Sequence, residues 1–161
     1  MCRSWYWVPG FILLADIVTK WLALGFLTLY ERLAIFPHFN LTLVYNKGAA
    51  FSMLGSHSGW QRWFLSAVAF FISAVIIYWM KKNKEMPNVH KVGLMLILGG
   101  ALGNLLDRLR FGYVIDFLDF YWGAHHFPAF NIADSAITCG AILLLLTLRQ
   151  QQTSHKHPTK H

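Results

Sequence analysis

The segment FPAFNIADSAITCGAILLLLTLR, residues 127–149, places Asn131 and Asp134 at the threshold of a membrane-length apolar run. An ionised carboxylate beside hydrocarbon is costly unless something compensates it, so Asp134 is either neutralised locally or retained for a task. The run also decides the fold class, because three more like it lie upstream. The apolar runs cover residues 8–29, 63–80, 92–106 and 132–148. A helix of about 20 residues, rising about 1.5 Å per residue, crosses a hydrocarbon core of about 30 Å, and polar flanks lengthen the shorter runs. They predict an all-α membrane protein with four transmembrane helices, approximately 8–29, 63–80, 92–110 and 132–148. Residues 1–161 then form a single membrane-embedded domain with a disordered tail, 150–161.

Hydrophobic residues make up 56% of the chain and charged residues only 13%, which excludes an ordinary soluble domain. Arg3 precedes the first run as it would in a cleavable signal peptide. Asp16 and Lys20 interrupt that run, however, and no small-x-small cleavage site follows, so it reads as a retained span. Cys2 and Cys139 offer no disulfide framework. An even number of spans puts both termini on one side. Arg3, Lys81, Lys82, Lys84, Lys91, Arg149, Lys156 and Lys160 share that side, so both termini are placed in the cytoplasm. Anionic lipid headgroups there account for the net charge of +7, and no nucleic acid is needed.

Between the first two spans, FNLTLVYN (residues 39–46) alternates apolar and polar positions with the period of a strand, and Gly48 supplies a turn. One or two strands here predict a small extracytoplasmic β cradle at the membrane surface. The aromatic segment 117–130 reads as an interfacial loop. In the third span Gly99 and Gly103 smooth one face for close helix packing. Asn104, Asp107 and Arg108 follow at i, i+3 and i+4, near its outer end. The His-rich tail reads as solvated.

Several polar residues have plain structural explanations. Asp16 and Lys20 stand at i, i+4 in the order that favours an internal ion pair. Asp107 has Arg108 and Arg110 within reach, so an orienting salt bridge is as good an account as catalysis. Asp119, His125 and His126 lie in the aromatic segment, and the adjacent histidines lack a further metal-ligand pattern. Asn131 as an N-cap, with Asp134 three residues on, is a variant of the capping box. Asp116 in YVIDFLDF changes that weighing. Antiparallel packing of the third and fourth helices brings Asp116 and Asp134 to one membrane face, where two carboxylates cannot both ionise easily. The helix N-terminus favours an anionic Asp134, while Val114, Ile115 and Phe117 favour a protonated Asp116. Such a pair activates water as acid and base.

The motifs ADIVTK, YNKGAAFS, GGALGNLLDR, GYVIDF and FNIADSAI occur in this order across nearly the whole chain, and together they resemble the bacterial lipoprotein signal peptidases, or signal peptidase II. The resemblance implies an aspartic endopeptidase of the bacterial inner membrane, multi-pass, with its active site near the extracytoplasmic face. Its substrates would be diacylglyceryl-modified prolipoproteins, cut before the lipid-modified cysteine. Asp116 and Asp134 would form the catalytic dyad, with Asn46, Asn104, Arg108 and Asn131 binding substrate or supporting the site. Asp16 and Lys20 would be structural, and Asp107 stands second to Asp116 as a catalytic candidate. The expectation is a monomer among membrane lipids, without metal or other cofactor. Residues 39–45 and 117–130 are expected as two covers that open to admit the lipid-bearing substrate sideways.

Other classes fit less well. GSHSG carries His57 where a nucleophile elbow requires serine, and HExxH is absent. LGGALGN lacks the Gly-x-Gly-Asp of presenilin- and prepilin-type aspartyl enzymes. A small ion- or proton-conducting transporter is the rival, because intramembrane acids also mark ion paths. Transporters usually carry repeats and midplane sites, whereas most acids here gather at one face.

Overall fold

The computed structural model describes residues 7–48 and 59–156. Residues 49–52 of YNKGAAFS, His57, Cys2, Arg3 and Lys160 lie outside the described residues. The described chain forms helices α1 (Trp7–Phe26), α2 (Trp60–Lys82), α3 (Asn88–Phe111) and α4 (Ile132–Lys156). Strands β1 (Arg32–Phe36) and β2 (Phe39–Asn46) lie between α1 and α2, and β3 (Val114–Trp122) and β4 (His125–His126) between α3 and α4. α1, α2 and α3 are long and apolar enough to cross a membrane, and within the described residues of α4 the apolar stretch Ile132–Thr147 is shorter. α4 itself continues to Lys156, past the expected start of the tail at residue 150.

The helices turn large apolar side chains outward: Trp21, Phe70, Phe71 and Leu145 are all exposed. In water that arrangement would be unfavourable, and in lipid it is the ordinary one, because lipid solvates apolar side chains while the helix satisfies its own backbone. α3 is the central helix, packed against α1, α2 and α4. Glycines permit this closeness. A Cβ on Gly99 would lie 2.8 Å from Ile12 Cβ, and one on Gly103 would lie 2.6 Å from Asp16 Oδ2. The face smoothed by these two glycines is therefore the one that receives α1.

The sheet is antiparallel in the order β1-β2-β3-β4. Ala23 and Leu27, at the end of α1, pack against Leu43, Ile115 and Phe117, which seats the sheet on the helices. The expected strand at residues 39–46 is β2. Most of the segment expected as an interfacial loop is instead β3, because VIDFLDFYW is rich in β-branched and aromatic residues and β2 offers it a bonding edge. The two expected covers are thus joined edge to edge and form one unit. The all-α expectation holds for the helices and understates the sheet.

β3 does not keep a simple alternation. Phe117 N–H and Leu118 N–H both donate to Phe130 O, at 3.0 and 2.9 Å, and the β2–β3 register shifts between Leu41 and Val44. A bulge of this kind re-aims the side chains beyond it. Asp116 and Asp119, three residues apart, consequently line the same cleft.

Candidate active site

Asn131 immediately precedes α4, and its short amide side chain suits an N-cap. Its Oδ1 accepts the Asp134 N–H at 2.9 Å, so the expected cap is formed. The same side chain donates from Nδ2 to Asp116 Oδ1 at 2.7 Å. One fully buried amide therefore joins the start of α4 to β3. Asn46, at the end of β2, donates from Nδ2 to Asp116 Oδ2 at 2.9 Å, and its Oδ1 accepts the Gly48 N–H at 2.8 Å. Gly48 has φ 96°, a left-handed conformation that glycine adopts without strain. Asn104 of α3 donates from Nδ2 to Asp134 Oδ1 at 2.7 Å. Both candidate catalytic carboxylates are thereby held by asparagine amides from three parts of the chain.

Asp116 is buried and Asp134 half-buried. Burial pushes the Asp116 carboxyl up to about 7, the amides of Asn46 and Asn131 oppose that rise, and the charge of Asp134 adds to it. Arg108 donates from Nη1 to Asn104 O at 3.3 Å and lies within Coulombic reach of Asp134 and Asp116. The six residues Asp116, Asp134, Asn46, Asn104, Arg108 and Asn131 are thus assembled at one place.

Beneath them lies a second set of acids. Lys20 Nζ is 2.7 Å from Asp16 Oδ2, 2.8 Å from Asp107 Oδ2 and 3.4 Å from Asn104 Oδ1. The Asp16–Lys20 pair is as expected, but the partner of Asp107 is Lys20 of α1 instead of Arg108 or Arg110. Successive residues on a helix do not face one another, so Asp107 and Arg108 point to different neighbours. Asp107 Oδ2 also accepts the Ile115 N–H at 3.2 Å, and Asp16 Oδ1 accepts the Ala133 N–H at 2.9 Å. Asp16 therefore caps α4 from another helix, a role that no local sequence signal announces.

A cleft of about 650 Å³ opens on Asp116 and Asn46 and extends along the sheet past Thr42 to Asp119 and His126. His126 Nδ1 lies 2.9 Å from both Asp119 oxygens. Among the described residues no group of three or more His, Cys, Asp or Glu is arranged to hold a metal ion.

The family model described as Signal peptidase (SPase) II matches residues 8–150. The lipoprotein signal peptidase of Shewanella amazonensis is 48% identical over 142 residues, covering 88% of this chain and 84% of that protein. The one from Alteromonas mediterranea is 47% identical over 142 residues, covering 88% and 78%. Two solved bacterial membrane enzymes, both determined in meso, share the fold. One has a TM-score of 0.80 at 33% identity, covering 90% of this chain and 92% of its own. The other has 0.82 at 30% identity, covering 98% and 94%. With a match that spans nearly the whole chain, this protein belongs to the signal peptidase II family.

Proposed function

We propose that the chain is an aspartic endopeptidase that removes the signal peptide from diacylglyceryl-modified prolipoproteins, cutting immediately before the lipid-modified cysteine. The observation that carries this reading is the single amide network that holds Asp116 and Asp134 together without a cation in direct contact among the described residues. Asp116, whose carboxyl titrates at about 7, holds the proton and polarises the scissile carbonyl. Asp134, in the first turn of α4 where the helix dipole favours negative charge, takes a proton from the attacking water. The proton then passes to the leaving amine, and the dyad returns to its singly protonated state. Asn46, Asn104 and Asn131 keep the two carboxyl groups in register, and Arg108 tempers the negative charge. No step requires a metal.

The membrane setting follows the same logic. α4 serves as the fourth span, its polar N-terminal turn at the outer face, and both termini lie in the cytoplasm of a bacterial inner membrane. The sheet then rests at the extracytoplasmic surface, where a lipid-anchored cysteine arrives from the outer leaflet. Membership of a peptidase family displaces the transporter reading. The test is cleavage of a diacylglyceryl-modified precursor by the purified protein in detergent, with the unmodified precursor as control. Cutting of the modified precursor alone is expected, and failure to cut either would overturn the reading.

A further inference from the structure

The far end of the cleft holds an acid that the dyad does not use. Asp119 is 3% exposed. Its Oδ2 accepts from Asn40 Nδ2 at 3.1 Å, and Arg32 Nε lies 3.8 Å from the same oxygen. With His126 added, β1, β2 and β4 each give one partner to a single carboxylate on β3. A carboxylate only accepts, so its contact with Nδ1 keeps the ring proton there, and a neutral ring then carries its lone pair on Nε2. His126 lines the same cleft as Asp116. Three residues of strand separate Asp116 from Asp119, about 10 Å at about 3.3 Å each.

We propose that His126 is a specificity-determining residue whose Nε2 accepts a backbone N–H of the substrate's mature segment, about three residues beyond the scissile bond, and that Asp119 is the positioning residue that sets its tautomer. The inference rests on the endopeptidase reading of Asp116 and Asp134. Direction follows from the fold. The apolar signal segment belongs among the helices on one side of Asp116, so the sheet end of the cleft takes the chain that leaves for water.

Asp119→Asn separates tautomer from mere packing. Asn40 donates to Oδ2 and the Arg32 guanidinium lies 3.8 Å from it, so the amide oxygen of the variant remains on that side; His126 Nδ1, 2.9 Å from both oxygens, then meets an NH2 group in place of Oδ1. A donor beside Nδ1 favours the ring proton on Nε2, which turns an acceptor in the cleft into a donor.

The test uses the full chain in detergent with diacylglyceryl-modified peptide precursors, each N-methylated at one of the first five mature amides. For the unaltered enzyme, methylation near the third mature residue is expected to raise KM about five-fold with kcat held, the loss of one hydrogen bond. His126→Ala should show the same rise with the unmethylated precursor, and methylation at that position should then add nothing. Asp119→Asn should reproduce the loss, with the ring 15N shifts of His126 reporting the exchanged tautomer, and it carries the test if His126→Ala does not fold. A methylation penalty that persists undiminished in both variants would overturn the proposal. So would variants that lower kcat or melting temperature while leaving KM unchanged. Absence of any cleavage by the unaltered enzyme would instead remove the endopeptidase reading, and this proposal with it.

Discussion

Two pairs of carboxylates lie close together in this molecule and are held by opposite means. Asp16 and Asp107 share the ammonium of Lys20, at 2.7 and 2.8 Å. Asp116 and Asp134 are held by the neutral amides of Asn46, Asn131 and Asn104. A buried cation in contact with a carboxylate is costly to remove, because losing either charge strands the other in a poor dielectric. A neutral N–H binds the carboxylate and still tolerates its protonation. The first pair therefore ties α1 to α3 and the start of α4, while the second is held by neutral donors.

The largest expected effect breaks this contrast at the dyad. Asp116→Asn and Asp134→Asn should each lower kcat by about 10²–10⁴-fold or more, the range of general acid-base contributions, with circular dichroism unchanged. Cleavage of lipidated precursor at more than about a tenth of the original rate in either variant would sink the dyad. Asp107→Asn is the comparison that sharpens the assignment. If it alone is inactive while folded, Asp107 takes the place of Asp116.

Lys20→Met attacks the other pair. It strands two buried carboxylates and should cost about 3–5 kcal/mol, read as a lower melting temperature in detergent. An unchanged melting temperature would show that Asp16 and Asp107 do not need the cation.

A third outcome concerns pH. Asp116 stays protonated up to about pH 7, so turnover should fall as pH rises through that value, by at most about ten-fold per unit. The same group bears on stability with a fixed sign. Between its ordinary value of 3.8 and about 7 the folded state binds more protons than the unfolded state, so stability declines as pH rises across that window. Asp116→Asn should lack that component of the decline, which melting curves at stepped pH will show.

Smaller still is Asn131→Ala, expected to cost about 1 kcal/mol through the lost cap of α4. It also frees Asp116 Oδ1, so kcat should drop more than the stability loss accounts for; full activity in an Asn131→Asp variant, which keeps a capping oxygen but loses the amide donor, would argue that only the cap matters. The smallest expected change is none. EDTA should leave cleavage intact, and loss restored by zinc would replace the carboxylate mechanism.

Much of this site was legible because its signals are local. The apolar runs that became α1, α2 and α3 are read from composition over about 20 residues, the length that hydrocarbon imposes. The Asn131 cap and the Asp16–Lys20 pair follow from spacings of three and four on a helix. The sheet was legible only in part. Residues 39–46 alternate in sequence, although Thr42 and Leu43 are both buried where the β2–β3 register shifts, whereas in β3 the N–H groups of Phe117 and Leu118 share one carbonyl and hide its period.

By itself, then, the sequence determined that the chain enters a membrane, which acids stand beside its apolar segments, and that its ordered motifs belong together. Tertiary structure decided the partnerships: Lys20 with Asp107, Asp16 with the Ala133 amide, Asn131 with Asp116, and His126 with Asp119. The division has a physical cause. Helix periodicity and capping act over a few residues and leave a trace in spacing, while a buried carboxylate takes whichever donor the packing of distant segments brings within about 3 Å.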